Sequence, residues 1–133
     1  MGKQQLEIGN SAEECIANFF HDKRYWAYIL PKKIGGQPFD LIASKKNETW
    51  FVDVKHLEAE KVSFSFDRIE PNQWTSFRYA RNISEIKNLG FVILWQKCPK
   101  TPFYLSFDKL LDYVENGDKS VKIERLERLG DLI

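Results

Sequence analysis

This sequence predicts a single mixed α/β (α+β) domain: a central mixed β-sheet flanked by helices, in the order α-β-β-β-α-β-β-α. Three observations lead to it. The chain has 133 residues, the size of one domain, and residues 1–133 hold no repeat, low-complexity tract or linker that would divide them. Hydrophobic residues make up 43% and charged residues 29%, a balance that excludes disorder and supports a core. Apolar residues at helical spacing alternate with short β-prone runs along the chain.

Residues 11–24 are predicted to be a helix, with Ile16, Ala17, Phe19 and Phe20 as its apolar stripe. Ser11 with Glu14, or Asn10 with Glu13, would form a capping box at its start. Residues 25–30 are aromatic and β-prone, and Pro31 closes them. After a turn cluster at Gly35, Gly36 and Pro38, residues 39–44 and 49–56 form two strands around the polar turn at residues 45–48. A short strand at residues 62–66 is followed by Pro71, at the favoured first position of a helix that turns Trp74, Phe77 and Tyr79 or Ala80 inward. Helix is expected to resume over residues 84–89 and to stop at Gly90. Residues 91–96 and 102–106 form strands, and Phe107, Leu110, Leu111 and Val114 mark an amphipathic helix. Residues 121–123 and the final segment complete the chain.

Composition excludes several functional classes. Apolar runs are far shorter than the roughly 20 residues of a membrane helix. Residues 2–10 are polar with no apolar stretch behind them, so no signal peptide is expected, and the chain is expected to be soluble and cytoplasmic. The two cysteines, Cys15 and Cys98, stand far apart, which argues against a disulfide framework or zinc finger and leaves Cys15 as a small core residue. His21 and His56 are isolated, so a metal would need oxygen ligands. The net charge is +1, yet basic pairs recur at Lys23-Arg24, Lys32-Lys33 and Lys45-Lys46, with Arg68, Arg78 and Arg81 further on. They are compatible with a phosphate-binding face.

The hairpin of residues 39–56 has the most chemistry. Side chains alternate along a strand, so Val52 and Val54 share one face while Asp53 and Lys55 share the other. A turn centred between Lys46 and Asn47 pairs Ser44 with Thr49, Ile42 with Phe51 and Asp40 with Asp53. Carboxylates directly opposite, with Cβ atoms about 5 Å apart, repel unless a cation lies between them or one is protonated. Mg²⁺ suits such a pair because it favours carboxylate oxygens and keeps several waters. Lys55 would then stand beside the ion, facing a phosphate or an attacking water.

Pro38-Phe39-Asp40 followed by Asp53-Val54-Lys55 resembles the P-D…(D/E)-x-K signature of restriction-endonuclease-like nucleases. In that family a helix bearing Glu precedes a β-meander bearing the other residues. Glu13 or Glu14 would supply the helix acid here; Glu13 lies on the stripe with Ile16 and Phe20, and Glu14 is already explained as a cap. Within the superfamily the chain is most similar to RecU-type Holliday-junction resolvases, also called penicillin-binding-protein-related factor A. The likeness extends through Phe64-Ser65-Phe66, Ile69, Asn72-Gln73, residues 90–94, Phe103-Tyr104-Leu105, Leu110-Leu111 and Lys119-Ser120-Val121. Two departures stand out. Pro38 sits one residue early, and the short span from Leu30 to Asp40 lacks the long stalk that enters a junction. Gln73-Trp74 followed by Gly90 and an apolar strand also looks like the VRR nucleases.

The resemblance implies a restriction-endonuclease-like core and Mg²⁺-dependent DNA hydrolysis, with Mn²⁺ as substitute, in recombination or repair. It implies a homodimer acting on branched or junction DNA in a bacterial or bacteriophage setting. Asp40 and Asp53 would hold the ion with the Val54 carbonyl and Glu13, Lys55 would act on the phosphate, and Gln73 would stand beside them. Lys32, Lys33, Lys45, Lys46, Arg78 and Arg81 would grip flanking phosphates. The alternatives are a VRR-type or other structure-specific nuclease, or a non-cleaving DNA-binding module on the same fold.

Overall fold

In the computed structural model, residues 2–31, 38–83 and 86–133 are described, with side chains from residue 12 onward. Helix α1 spans Gly2–Asp22 and is followed by strands β1 (Trp26–Ile29), β2 (Leu41–Lys45), β3 (Glu48–Leu57) and β4 (Ser63–Ser65). Helix α2 (Pro71–Ile83), strands β5 (Asn88–Trp95) and β6 (Phe103–Ser106), helix α3 (Phe107–Glu115) and the short strands β7 (Ser120–Lys122) and β8 (Glu127–Arg128) complete the chain. One six-stranded sheet has the order β1-β2-β3-β5-β6-β8, and β4 pairs with β7 in a separate two-stranded sheet. Only β3 and β5 run parallel among the described strands, joined by the crossover that contains α2; the other ladders are antiparallel. The architecture is thus mixed α/β, with a six-stranded mixed sheet and three α-helices among the described residues. No described helix is long and apolar enough to cross a membrane.

Two apolar layers cover the sheet. On one face, Ile16, Ala17 and Phe20 of α1 pack against Leu41, Ala43, Trp50, Val52 and Val92. On the other, Phe77 of α2 and Phe107 and Leu110 of α3 pack against Phe91, Ile93 and Leu105. The alternation of side chains along each strand separates the two sets.

Several expectations are corrected. Helix α1 begins at Gly2 rather than at residue 11, so both proposed capping boxes fall inside it. Lys3, Gln4, Gln5, Leu6 and Glu7 are good helix formers, and an interior Ser or Asn costs too little to stop propagation. Cys15 is exposed rather than part of the core. On α2, Trp74 and Phe77 pack inward as expected, and of the two further candidates it is Ala80 that packs, whereas Tyr79 points to solvent.

The helix predicted for residues 84–89 is absent over residues 86–89. Ser84 and Glu85 lie outside the described residues, Ile86 and Lys87 have no regular structure, and Asn88 already begins β5. Gly90 sits inside that strand because the neighbouring strand comes too close for a side chain. A Cβ there would meet the Leu105 carbonyl oxygen at 2.4 Å, the Ser106 Cα at 2.9 Å and the Tyr104 hydroxyl at 2.9 Å. Two of those atoms are backbone and cannot swing away. Gly90→Ala is therefore expected to destabilise the protein by about 3 kcal/mol, the upper end of ordinary overpacking. A urea-denaturation midpoint equal to that of the wild type would refute this.

Candidate active site

The β2–β3 hairpin has the predicted register: Ser44 pairs with Thr49, Ala43 with Trp50, Ile42 with Phe51 and Leu41 with Val52. Lys46 occupies the left-handed region with φ 51°, which lets the tight turn close. The predicted pairing of Asp40 with Asp53 is corrected, because the ladder ends at Leu41. Beyond it the Asp40 amide donates to the Val52 carbonyl at 3.0 Å, a slip of one residue from the hairpin register. Side-chain alternation breaks at the same place. Leu41 joins the α1 layer, whereas Phe39 turns to the other face and stacks on Phe77 at 4.9 Å. Asp40 is left at the end of the strand, and its Oδ2 accepts the Val54 N–H at 2.8 Å. One bond thus ties the first acid to the strand carrying the second.

Asp53 and Lys55 point to the α2 face. Their ladder partners on β5 are Phe91 and Ile93, both in that layer. Lys55 Nζ lies 3.1 Å from Asp53 Oδ2 and donates to Gln73 Oε1 at 3.1 Å. The contact with Asp53 is close enough for an ion pair but lacks hydrogen-bond geometry, so Asp53 Oδ2 is buried without a hydrogen bond. Gln73 Oε1 also accepts the Glu70 N–H at 3.1 Å, the backward half of a capping box at the start of α2. Gln73 therefore both caps α2 and anchors Lys55.

Asp53 is 3% exposed, Asp40 9%, Gln73 4% and Glu13 6%, and these four are the buried polar side chains among the described residues. Burial pushes the Asp53 carboxyl up to about 7, the adjacent Asp40 pushes the same way, and Lys55 opposes both. The raised value has a definite sign for stability. The neutral form is favoured in the fold, so the contribution is complete below the ordinary carboxylate range and disappears as pH rises through about 7. Metal-free protein is accordingly expected to lose stability between about pH 4 and pH 7 relative to Asp53→Asn, by on the order of a few kcal/mol, with no further change above that range. Thermal melts of both proteins in chelator, across that range, test this; a constant difference would refute it.

Asp40, Asp53, Lys55 and Gln73 thus come together, with the Val54 backbone between the acids. Glu13 is buried on α1, whose layer covers the opposite face of the sheet from Lys55 and Gln73. Among the described residues, no group of three or more His, Cys, Asp and Glu side chains is gathered as a metal cage. Glu14 is exposed.

The predicted phosphate contacts scatter. Lys32 and Lys33 lie outside the described residues. Lys45 and Lys46 are at the hairpin turn, about 17–20 Å along β2 from Asp40 at roughly 3.3 Å per residue. Lys45 Nζ donates to the Lys23 carbonyl at 3.1 Å and lies over the Tyr25 ring. Arg78 lies over the Trp74 ring, 5.8 Å from its centroid, and Arg81 is ion-paired with Asp108. A concavity of about 1290 Å³ lies at the turn end of the sheet, lined by Glu48, Arg81, Lys87 and Asp108 among others. Its charges balance, and it contains neither Asp40 nor Asp53.

Sequence reasoning passed over Trp26 and Tyr28, which are among the exposed large hydrophobic residues. The available signal was their spacing: two aromatics two apart on a strand must share a face. No protein-family model matches the chain, and no curated protein is significantly similar to it.

Proposed function

We propose that the chain is a divalent-metal-dependent phosphodiesterase acting on DNA, built on a restriction-endonuclease-like core. One observation supports the reading above others: two adjacent buried carboxylates, one with an oxygen left without a hydrogen bond, beside a buried lysine held by a glutamine. Buried charge is costly; Lys55 offsets one of the two carboxylates, and the other is relieved by a proton or a further cation. The donor set fits a hard cation of the Mg²⁺ or Mn²⁺ class that keeps most of its waters. Asp40 and Asp53 would hold it, with the Val54 carbonyl as a further oxygen. When bound, such an ion lowers the pKa of a water and neutralises charge on a phosphate.

The chain's own residues supply the remainder. Asp40 is oriented by the Val54 N–H, which commits one of its oxygens and holds the carboxylate beside Asp53. Lys55 is held by Gln73 with its ammonium at the Asp53 carboxylate, where it can face a phosphate oxygen. Gln73 is a positioning residue, since it acts through Lys55. Glu13 is retained in this reading as an acid that would act from the α1 side, through water. Branched or junction DNA, a homodimeric assembly and a cytoplasmic role in recombination or repair complete the proposal; they rest on the resemblance to resolvases.

The deciding experiment incubates purified protein with branched, duplex and single-stranded DNA, in Mg²⁺ and in chelator. Mg²⁺-dependent cleavage that is strongest on the branched substrate is expected. Metal-independent binding with no cleavage of any substrate would instead favour a non-cleaving DNA-binding module.

A further inference from the structure

Trp26 and Tyr28 are 61% and 47% exposed, and their rings lie parallel within 2° with centroids 6.0 Å apart. Between and beyond them, Ala27 and Ile29 pack inward under α1. The strand therefore has a satisfied inner face and an aromatic outer one. Strand β1 ends the six-stranded sheet, and neither α2 nor α3 makes substantial contact with it. Two neighbouring large rings left in water on one short strand are a candidate contact surface.

Register places this surface on the same face as the acids. Trp26 stands opposite Ser44 and Tyr28 opposite Ile42, which in turn stand opposite Thr49 and Phe51. Phe51 and Asp53 share one face of β3, so Tyr28, Ile42, Phe51 and Asp53 all lie on it. The end of β1 is tied to the site, since the Leu30 N–H donates to the Asp40 carbonyl at 2.9 Å.

The other end of the strand is basic. Lys45 shares the α1 face with Leu41 and Ala43, and its Nζ reaches the Lys23 carbonyl, which draws the Lys23-Arg24 turn against the Lys45-Lys46 turn at the end of the sheet. Lys23, Arg24 and Lys46 are exposed there. Glu48, which pairs with Lys45 in the ladder, is engaged by the Tyr25 hydroxyl at 2.6 Å and the Trp50 indole N–H at 3.1 Å.

We propose that this face is a shelf for unpaired nucleotides: bases stack on Trp26 and Tyr28 while the backbone runs between the basic turns and the Asp40–Asp53 pair. Flat rings accept any base whose face is free, and the cations match a polyanion. A duplex hides its base faces, so the shelf selects single strands or the unpaired segment of a branched molecule. The inference rests on the phosphodiesterase reading and deepens it by naming its substrate class, but the shelf can be measured without cleavage.

The test is fluorescence anisotropy with labelled oligothymidylate of about twelve nucleotides, and with a duplex of the same length, in chelator. Single strand is expected to bind more tightly than duplex, with affinity falling steeply as salt rises. Trp26→Ala/Tyr28→Ala should weaken oligothymidylate binding at least about tenfold, whereas Trp26→Phe/Tyr28→Phe should retain most of it. Both sites are exposed, and circular dichroism checks that each double variant keeps its fold. Equal affinity for wild type and the alanine variant, or no binding of oligothymidylate by wild type, would overturn the shelf. So would a dimer, seen by sedimentation, that the alanine variant dissolves while oligothymidylate affinity is unchanged, since the rings would then serve a second copy. Trp26-dependent binding without cleavage of any DNA would uphold the shelf and defeat the nuclease reading instead.

Discussion

Asp53→Asn is expected to lower Mg²⁺-dependent DNA cleavage by at least about a thousandfold while leaving the fold intact. The same substitution should remove the gain in thermal stability that Mg²⁺ confers on the wild type. That gain follows from mass action and amounts to about 2.7 kcal/mol at a hundredfold excess over Kd. The variant replaces a carboxylate that is 3% exposed and crowded by Asp40, so the metal-free variant should be no less stable than wild type at neutral pH. This combination of lost turnover, lost metal response and retained stability is not produced by general damage to the core. Single-turnover cleavage beside melts with and without Mg²⁺ measures all three. A folded Asp53→Asn protein that still cleaves in Mg²⁺ would take Asp53 out of the site.

Lys55→Ala is expected to slow cleavage on the order of 10²–10³-fold with DNA affinity nearly unchanged. The reason is where the charge sits. Lys55 is held between Asp53 and Gln73 within the site, while Lys23, Arg24 and Lys46 remain exposed for ground-state phosphate contacts. A preorganised positive group beside the reacting phosphate contributes more to the transition state than to the bound ground state. Lys55→Arg should not rescue fully, because a guanidinium does not fit a compact point-charge position tied to one amide oxygen. The measurement is a binding titration in Ca²⁺ beside single-turnover cleavage in Mg²⁺. Parallel losses in binding and cleavage would make Lys55 an ordinary phosphate contact.

Both predictions concern residues whose pattern is legible in the amino-acid sequence. Asp53 and Lys55 two apart on a β-prone run, with Asp40 upstream across a short polar turn, can be recognised because strand alternation and hairpin register are local properties. The pairings of Ser44 with Thr49 and Ile42 with Phe51 follow from the turn alone. Asp40 illustrates the limit of that reasoning. The hairpin rule places it opposite Asp53, yet Phe39 prefers the aromatic layer formed by Phe51 and Phe77, and the chain slips one residue to reach it. That slip turns the Asp40 carboxylate to the Val54 N–H. Phe77 is distant in sequence, so no local pattern announces the change.

The sequence by itself determined most of the order of elements, the register of the β2–β3 ladder and the placement of an acid and a lysine on one strand face. Each depends on neighbours a few residues apart, through side-chain period and turn length. Tertiary structure alone decided that Gly90 lies inside a strand, because the reason is the Leu105 carbonyl and Ser106 Cα of a strand more than a dozen residues away. It likewise put α1, which carries Glu13, over the sheet face opposite the one Lys55 occupies. Finally, it left Trp26 and Tyr28 exposed at the sheet edge, since alternation sets which residues share a face but only the packing of helices decides which face is covered.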